Sequence, residues 1–510
     1  MEALEVMSPI SGETIGFVNT TPLHTTTLMY DQARQANSSW QNTSIKERLQ
    51  YIRRLKHIIV EQLEDGIDII HQDAGKPKVE AITADLFTVL DTIAYLEKHA
   101  AKILKTQKTK TPIALIGKKS YTSYQPRGVV LVISPWNYPF QLAMNPVINA
   151  LLAGNCVILK PSEVTPLVGQ WMESLFEQAG FPEHVIQVAH GGKELGAKLV
   201  SEKPDYIFFT GSDRTGKIIQ QEAAKHLIPT SLELGGKDPM IVFQDAHFDR
   251  AVRGALWGSL TNYGQVCMSV ERIYVEKEIY ESFIQELKNE LQNLKTEHSD
   301  DADLGSMTFE NQLQIIQNHV TSAISKGAKI ISGSHPKLHQ HQGMKIEPVI
   351  LTDVNHEMEV IQEETFGPVI NVIPFENEEE AIQLANDTRY GLSASVWSKD
   401  LNKAKRVAAK LAAGSVVVND VIVAIANPYL PFGGIKDSGI GRYHAQVGVQ
   451  IFCHQKSILV DRGIKKSEVN WYPYEGKLPH FKNFIKSWYG KRKNVIKFLS
   501  SYIQLLRKSK

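Results

Sequence analysis

Cysteine is scarce in this chain. Cys156, Cys267 and Cys453 are the only three in 510 residues, and they lie far apart. That is no disulfide framework, and the absence of any C-x-x-C pair excludes thiolate zinc and dithiol redox motifs. A reducing cytosol is the compartment that fits. Net charge is nearly absent as well: 56 Lys and Arg stand against 55 Asp and Glu. Such balance argues against nucleic acid as the main partner. No apolar run approaches the roughly 18–20 residues that cross a bilayer, and the opening MEALEVMSPISG has no basic-then-apolar signal pattern. Repeats and low-complexity linkers are missing too. The length exceeds what one core supports, so two or three domains packed together are expected.

Apolar spacing of three and four residues predicts helices over "LMYDQARQANSSW", "IKERLQYIRRLKHIIVEQLEDGIDII" and "KVEAITADLFTVLDTIAYLEKHAAKIL" in the first hundred residues. From Thr111 to Tyr124 the pattern is extended. "GVVLVISP" (128–135) reads as a strand buried on both faces. Strand candidates Val157–Lys160, Val185–Ala189 and Tyr206–Phe209 then alternate with helical stretches. This alternation predicts an α/β fold with a parallel sheet and right-handed crossovers. A second α/β region follows from about Gly235 to Asn419, with a helix at "YESFIQELKNELQNLKTE" and a strand at "GSVVVND" (414–420).

Two nucleotide signatures are incomplete. Gly211 to Lys217 spell G-x-x-x-x-G-K, but Ile218 stands where a magnesium-binding Ser or Thr belongs. Magnesium-dependent NTP hydrolysis is therefore disfavoured. G-x-G-x-x-G is absent, since "HGGKELG" (190–196) does not match it. A helix start after a strand still favours an anion, and a dinucleotide diphosphate is the natural candidate. On this stretch alone, a plain strand-helix turn is the better-supported reading.

Three stretches carry chemistry. "SPWNYPF" (134–140) follows the buried strand at its carboxyl end, where α/β proteins place ligands. "LELGGKDP" (232–239) sets Glu233 in an apolar run, either as a structural residue or as a base of raised pKa. "NYGQVCMS" (262–269) places Cys267 among short and polar side chains. A lone cysteine is usually a small buried hydrophobe, a reading that suits Cys156 and Cys453.

Taken together, PWNYP, KPSE, FTGS, LELGGK, GQVC and EETFGP, in this order, resemble the aldehyde dehydrogenase superfamily. The likeness runs from "AGKPKVEA" (74–81) to "PFGGIKDSGIGR" (431–442). It implies that Cys267 is the nucleophile toward an aldehyde, Asn137 an oxyanion donor and Glu233 the base that activates water for thioester hydrolysis. It implies NAD as cofactor, with NADP left open. Lys160 and Glu163 would hold the adenosine ribose, Gly211 and Ser212 the diphosphate, and Trp136, Glu364 and Phe366 the nicotinamide side. Glu163 would repel a 2′-phosphate, which favours NAD. No metal is implied. Lys217 would then be a solvated helix residue.

The implied fold has a Rossmann-type cofactor domain (1–107 and 127–234), a catalytic α/β domain (235–436) and an oligomerisation arm (108–126 and 450–461), in a homodimer or tetramer. Pro146 and Tyr443, the latter followed by His444, stand where many tetrameric members carry a lysine and an acid. The chain thus looks closer to members acting on fatty and other hydrophobic aldehydes. A small polar aldehyde or semialdehyde is the alternative, and a catalytically silent membrane-attached scaffold the alternative of another class. A coenzyme A acyl transferase is opposed by Glu233, which would hydrolyse the thioester first.

The tail, 476–510, has no acidic residue. Val495, Leu499, Tyr502 and Leu506, joined by Ile496 and Ile503, predict one face of a basic amphipathic helix, preceded by Phe481, Phe484, Trp488 and Tyr489. A peripheral contact with an anionic membrane and a contact with a partner subunit both fit. The expected location is cytoplasmic, with that membrane contact as its one qualification.

Overall fold

The computed structural model describes residues 2–296, 299–336 and 344–509. The chain divides into two compact units, Met1–Lys105 with Tyr124–Gln455, and Thr106–Ser123 with Lys456–Lys510.

The larger unit is built on two sheets. In the first, Val129–Ile133 is the central strand, buried at all five residues. Its Val130 pairs in parallel with Val157 on one side and Tyr206 on the other. The full order is Gly439–Ile440, Thr230–Glu233, Tyr206–Thr210, Val129–Ile133, Cys156–Lys160, Ile186–Val188. The chain moves outward through two strands, then returns to the other side of the first. That reversal is a topological switch point, and the crevice at the strands' carboxyl ends is where such sheets take ligands. Only Gly439–Ile440 runs antiparallel to its neighbour.

The second sheet has seven strands in the order Lys329–Ser332, Val349–Thr352, Val369–Phe375, Val270–Glu276, Asp238–Val242, Ser393–Trp397, Ser415–Val418. All neighbours are parallel except the first pair. Each sheet has its own apolar core, one around Leu131, Ile158 and Phe208, the other around Ile241, Ile273 and Val372. A fully buried branched side chain of this kind contributes about 1.5–3 kcal/mol, so both strand sets are fixed well before the loops between them.

Several elements differ from the sequence reading. A two-stranded hairpin, Ala3–Met7 with Thr14–Asn19, precedes the helices. Of its apolar residues only Val6 and Val18 are fully buried, too few to signal a strand. The long second helical run breaks at Gln62, into Ile45–Glu61 and Leu63–Ala74. The third contains a π-helical turn at Ala81–Leu86, which no periodicity announces.

In the smaller unit, Gln107–Thr109 pairs antiparallel with the strand Lys119–Pro126. Cys453–Val460 forms the opposite edge of that three-stranded sheet. Lys118 bridges Asp461 and Glu468 at 2.6 and 3.1 Å. The tail forms two helices, Leu478–Tyr489 and Val495–Arg507, not one. Asn494 caps the second by accepting from the Lys497 N–H at 2.9 Å. They pack as a hairpin through Phe484 and Trp488 on Phe498, with ring centroids 4.2 and 4.7 Å apart. The docked face of the second helix is therefore Phe498, Ser501 and Leu505. The expected apolar face lies beside it. Its Val495, Ile496, Leu499 and Ile503 are exposed. No helix among the described residues is long and apolar enough to cross a membrane.

Candidate active site

Each chemical stretch sits at a strand end. Trp136 and Asn137 follow Val129–Ile133, Lys160 and Glu163 follow the neighbouring Cys156–Lys160, and Gly211 and Ser212 follow Tyr206–Thr210. Glu233 closes Thr230–Glu233. From the second sheet come Cys267, just ahead of Val270–Glu276, and Glu364 and Phe366, just ahead of Val369–Phe375.

One cavity of about 220 Å³ gathers most of them. Trp136, Asn137, Gly211, Ser212, Glu233, Cys267, Glu364 and Phe366 line it, together with Leu142, Thr210, Gln312 and Ile315. Lys160 and Glu163 are not part of that lining. They pair with each other, Nζ to Oε2, at 2.6 Å, the lysine buried and the glutamate partly exposed.

The glycine pair of LELGGK explains how the parts come so close. A Cβ on Gly236 would meet the Cys267 carbonyl oxygen at 2.2 Å, and one on Gly235 would meet the Glu364 carboxylate at 2.5 Å. Glu364 accepts from the Gly236 N–H at 3.0 Å. Its carboxyl is pushed up to about 8, by burial first and then by the charge of Glu271. Burial pushes the Cys267 thiol well above its usual range, and Glu364, Asp238 and Glu233 push the same way. Glu233 is likewise raised well above the carboxylate range by burial, opposed by Arg442. Neither of its carboxylate oxygens has a hydrogen-bond partner among the described residues. An acid left in this state is costly when ionised and suited to taking a proton near neutral pH.

Asn137 is fixed through its own amide. Its Nδ2 donates to the Gln265 carbonyl at 3.0 Å, which leaves the second N–H of that nitrogen free. The Phe366 turn is pinned from below: Glu271 accepts from the Thr365 and Phe366 N–H groups at 2.8 and 3.0 Å, and the buried Lys237 ammonium pairs with Glu271. Phe366 itself has φ 52°, a left-handed conformation that is strained for a bulky residue. Its ring stands edge-on to Trp136, centroids 5.5 Å apart.

Gln265, Gln312 and the Lys237–Glu271 pair were missed from sequence. Lys237 and Gln265 lay inside the quoted LELGGK and GQVC motifs without a role being read for them; Gln312 and Glu271 become visible only once the loops meet. The G-x-x-x-x-G-K match also resolves. Lys217 pairs with Asp437 at 3.0 Å and Asp213 at 3.4 Å, and a Cβ on Gly216 would strike Leu234 at 2.6 Å. That glycine serves packing. Ser212 caps the following helix by accepting from the Thr215 N–H at 3.3 Å. Pro146 lies inside the buried helix Gln141–Leu152, and Tyr443 is buried with its hydroxyl raised well above its usual range, by burial first and then by Glu233 and Cys267. Neither offers Glu233 an ionised side chain.

A switch-point parallel sheet and a second sheet, whose loops bring Cys267 and the unpartnered Glu233 to line one cavity, define the arrangement of a two-sheet α/β enzyme. The chain belongs to the aldehyde dehydrogenase family, whose description matches residues 1–458, and is an oxidoreductase acting on aldehydes. It is 41% identical over 495 residues to a 4,4′-diapolycopene aldehyde oxidase of a Methylomonas species, covering 96% of this chain and 92% of that one. A Mycobacterium tuberculosis relative with the provisional name succinate-semialdehyde dehydrogenase [NADP(+)] 2 is 37% identical, covering 85% and 84%. Among solved structures, betaine aldehyde dehydrogenase of Staphylococcus aureus in complex with NAD+ is 33% identical, with a TM-score of 0.86 over 92% of this chain and 93% of that one.

The orphaned carboxyl gives a stability test. A raised acid pKa means the native state holds the proton longer than the unfolded chain, so stability falls as pH rises from about 4.5 toward the native value. Glu233→Gln should remove that loss. Across pH 5 to 8 the unfolding midpoint of the variant should rise relative to the parent, and a constant difference would disprove the coupling.

Proposed function

We propose that this enzyme oxidises a hydrophobic, long-chain aldehyde to its carboxylic acid with NAD, through a thioester on Cys267. The observation that carries the reading is the single cavity in which the Cys267 thiol, the Asn137 amide and the unpartnered Glu233 carboxyl converge.

Cys267 adds to the aldehyde carbonyl as thiolate, giving a thiohemiacetal. The free Nδ2–H of Asn137, anchored by Gln265, and the Cys267 N–H take up the oxyanion charge; one such donor is worth roughly 2.7–4 kcal/mol of barrier. Trp136, Glu364 and Phe366 would hold the nicotinamide end of NAD, which would supply the hydride acceptor and a positive charge near the thiol. Glu233 then takes a proton from water, which attacks the thioester and frees the acid. A carboxyl whose pKa burial raises is a stronger base than an exposed one, which suits that task. Metal ligation has no part in this reading.

The residues suit a dinucleotide. Lys160 and Glu163 present a donor and an acceptor side by side, as a pair of ribose hydroxyls requires, and the carboxylate opposes a 2′-phosphate. Glu364 keeps one oxygen free of Gly236 for the second ribose. Trp136 and Phe366, set edge to face, supply apolar surface on the nicotinamide side. The mycobacterial relative's name points to NADP, so cofactor choice rests on Glu163.

Two features support an apolar substrate. No Lys or Arg lines the cavity among the described residues, so the carboxylate of a semialdehyde would lack a counter-charge there. The loop 421–434, VIVAIANPYLPFGG, carries no charge at all. The diapolycopene aldehyde oxidase name fits the same class.

We read 1–107 with 127–234 as the cofactor domain, 235–436 as the catalytic domain and 108–126 with 450–461 as the arm of a homo-oligomer. The edge strand Cys453–Val460 leaves Ile458, Leu459 and Val460 exposed, which calls for a cover. The tail hairpin is read as a peripheral membrane contact of a cytoplasmic enzyme. Its exposed Val495, Ile496, Leu499 and Ile503 share a segment with Lys491, Arg492, Lys493 and Lys497 and no acid, the pattern that anionic bilayers attract.

Purified protein with NAD and a long-chain aliphatic aldehyde should form reduced nicotinamide, and Cys267→Ser should lose this activity by at least about 10³-fold. Activity that survives the change would refute the thioester route. Deleting 477–510 should weaken binding to phosphatidylglycerol vesicles and raise the apparent KM for long-chain aldehydes. If neither changes and the oligomer falls apart instead, the hairpin is a subunit contact.

A further inference from the structure

The AGKPKVEA stretch and the turn that follows it have no part in the chemistry described so far, yet they bring together three ionisable side chains, Lys76, Glu80 and Asp85. Lys76 and Asp85 are both fully buried and paired, Nζ to Oδ2, at 2.5 Å. Glu80, half-buried, is pushed up to about 7 by desolvation, opposed by Lys76. The π-helical turn brings Glu80 and Asp85, five residues apart, into this cluster, and Phe87 N–H donates to Ile82 carbonyl in the i→i+5 pattern of such turns.

Every remaining bond of the cluster ends on the loops that carry Asn137 and Cys267. Lys76 Nζ donates to the Asn137 carbonyl at 2.8 Å and stands 3.8 Å from the centre of the Tyr138 ring. Asp85 Oδ1 accepts from the Phe140 and Gln141 N–H groups at 3.2 and 3.0 Å. The segment Trp136–Gln141 is thus held at a carbonyl near one end and at two N–H groups near the other. Asn262 Nδ2 donates to the same Asn137 carbonyl at 3.0 Å. Asn262 is itself held by Glu80, which accepts from its N–H at 2.7 Å. It sits at φ 47°, followed by Tyr263 at φ 59°, two left-handed residues on the path to Cys267.

We propose that Lys76 and Asp85 are positioning residues for the Asn137 amide. They hold the Asn137 backbone so that one Nδ2–H remains on the Gln265 carbonyl and the other faces the oxygen of the aldehyde that Cys267 attacks. They touch neither aldehyde nor cofactor, and their effect passes through Asn137. The assignment rests on the reading of Asn137 as oxyanion donor.

The test is a double-mutant cycle on the full-length enzyme. The pre-steady-state rate of reduced-nicotinamide formation is measured with NAD and a medium-chain aldehyde, and NAD affinity by fluorescence titration. The four proteins are the parent, Asp85→Asn, Asn137→Ala and the double variant. Asp85→Asn should slow the rate roughly 30-fold in the parent and less than about 3-fold in Asn137→Ala, because interacting residues are not additive. NAD affinity should stay within about 2-fold across all four. Should Asp85→Asn fail to fold with Lys76 unpaired, Lys76→Met/Asp85→Asn removes both charges together and takes its place. An equal loss in both backgrounds, or a loss of NAD affinity that matches the loss of rate, overturns the positioning role. If Asn137→Ala leaves the rate unchanged, the oxyanion reading fails and this inference fails with it.

Discussion

The site depends on two places where no side chain can stand. Gly235 and Gly236 lie between the last parallel strand of the first sheet, Thr230–Glu233, and the first strand of the second, Asp238–Val242. At this junction the Cys267 carbonyl and the Glu364 carboxylate close onto bare backbone. One added carbon at Gly236 would force the nucleophile's backbone away from the strand end that carries Glu233. Both folding units of the chemistry, base and nucleophile, are placed by this contact. Catalysis of this kind loses orders of magnitude when reacting groups shift by an ångström.

Closeness brings acidic groups together. Glu233, Glu364, Asp238 and the thiol all sit in a buried region, and each resists ionising beside the others. The resting site is therefore best described with its protons on. This is a cost to stability that a purely structural core would not keep. For the proposed base role Glu233 must first lose its proton, a change that a positive charge bound nearby would favour. Pro146 and Tyr443 offer no ionised relay beside Glu233, so on the proposed route water is the natural carrier of its proton.

Much of this was legible in the sequence. The buried strands were readable because Val129–Ile133 and Cys156–Lys160 are apolar on both faces, and the motifs ordered themselves along a known chemistry. The cavity residues gathered because loops at the strand ends of the two sheets converge. What was not legible has a physical cause in each case. The Ala81–Leu86 π-turn keeps helical spacing on either side of it. The Ala3–Met7 hairpin buries too little to show alternation. In the tail, Val495, Leu499 and Ile503 form a convincing stripe, yet the helix docks through Phe498 and Leu505, because Phe484 and Trp488 lie on the preceding helix. A wheel of one helix cannot tell which of two apolar stripes meets a neighbour.

The same limit hid the Lys76–Asp85 pair, and the pair shows why charge was kept in that interior. Well-packed apolar side chains of similar volume would commonly be as stable as a buried ion pair. They would fill space around the 134–141 segment without naming which atom goes where. An ammonium aimed at the Asn137 carbonyl, and a carboxylate shared by two successive N–H groups, specify direction as well as distance. In the proposed role, the Asn137 amide must present one particular N–H to the oxygen of a carbonyl. Packing alone would tolerate rotations that such hydrogen bonds forbid. The energetic cost of burying the charges is thus the counterpart of an orientation that hydrophobic contact cannot impose.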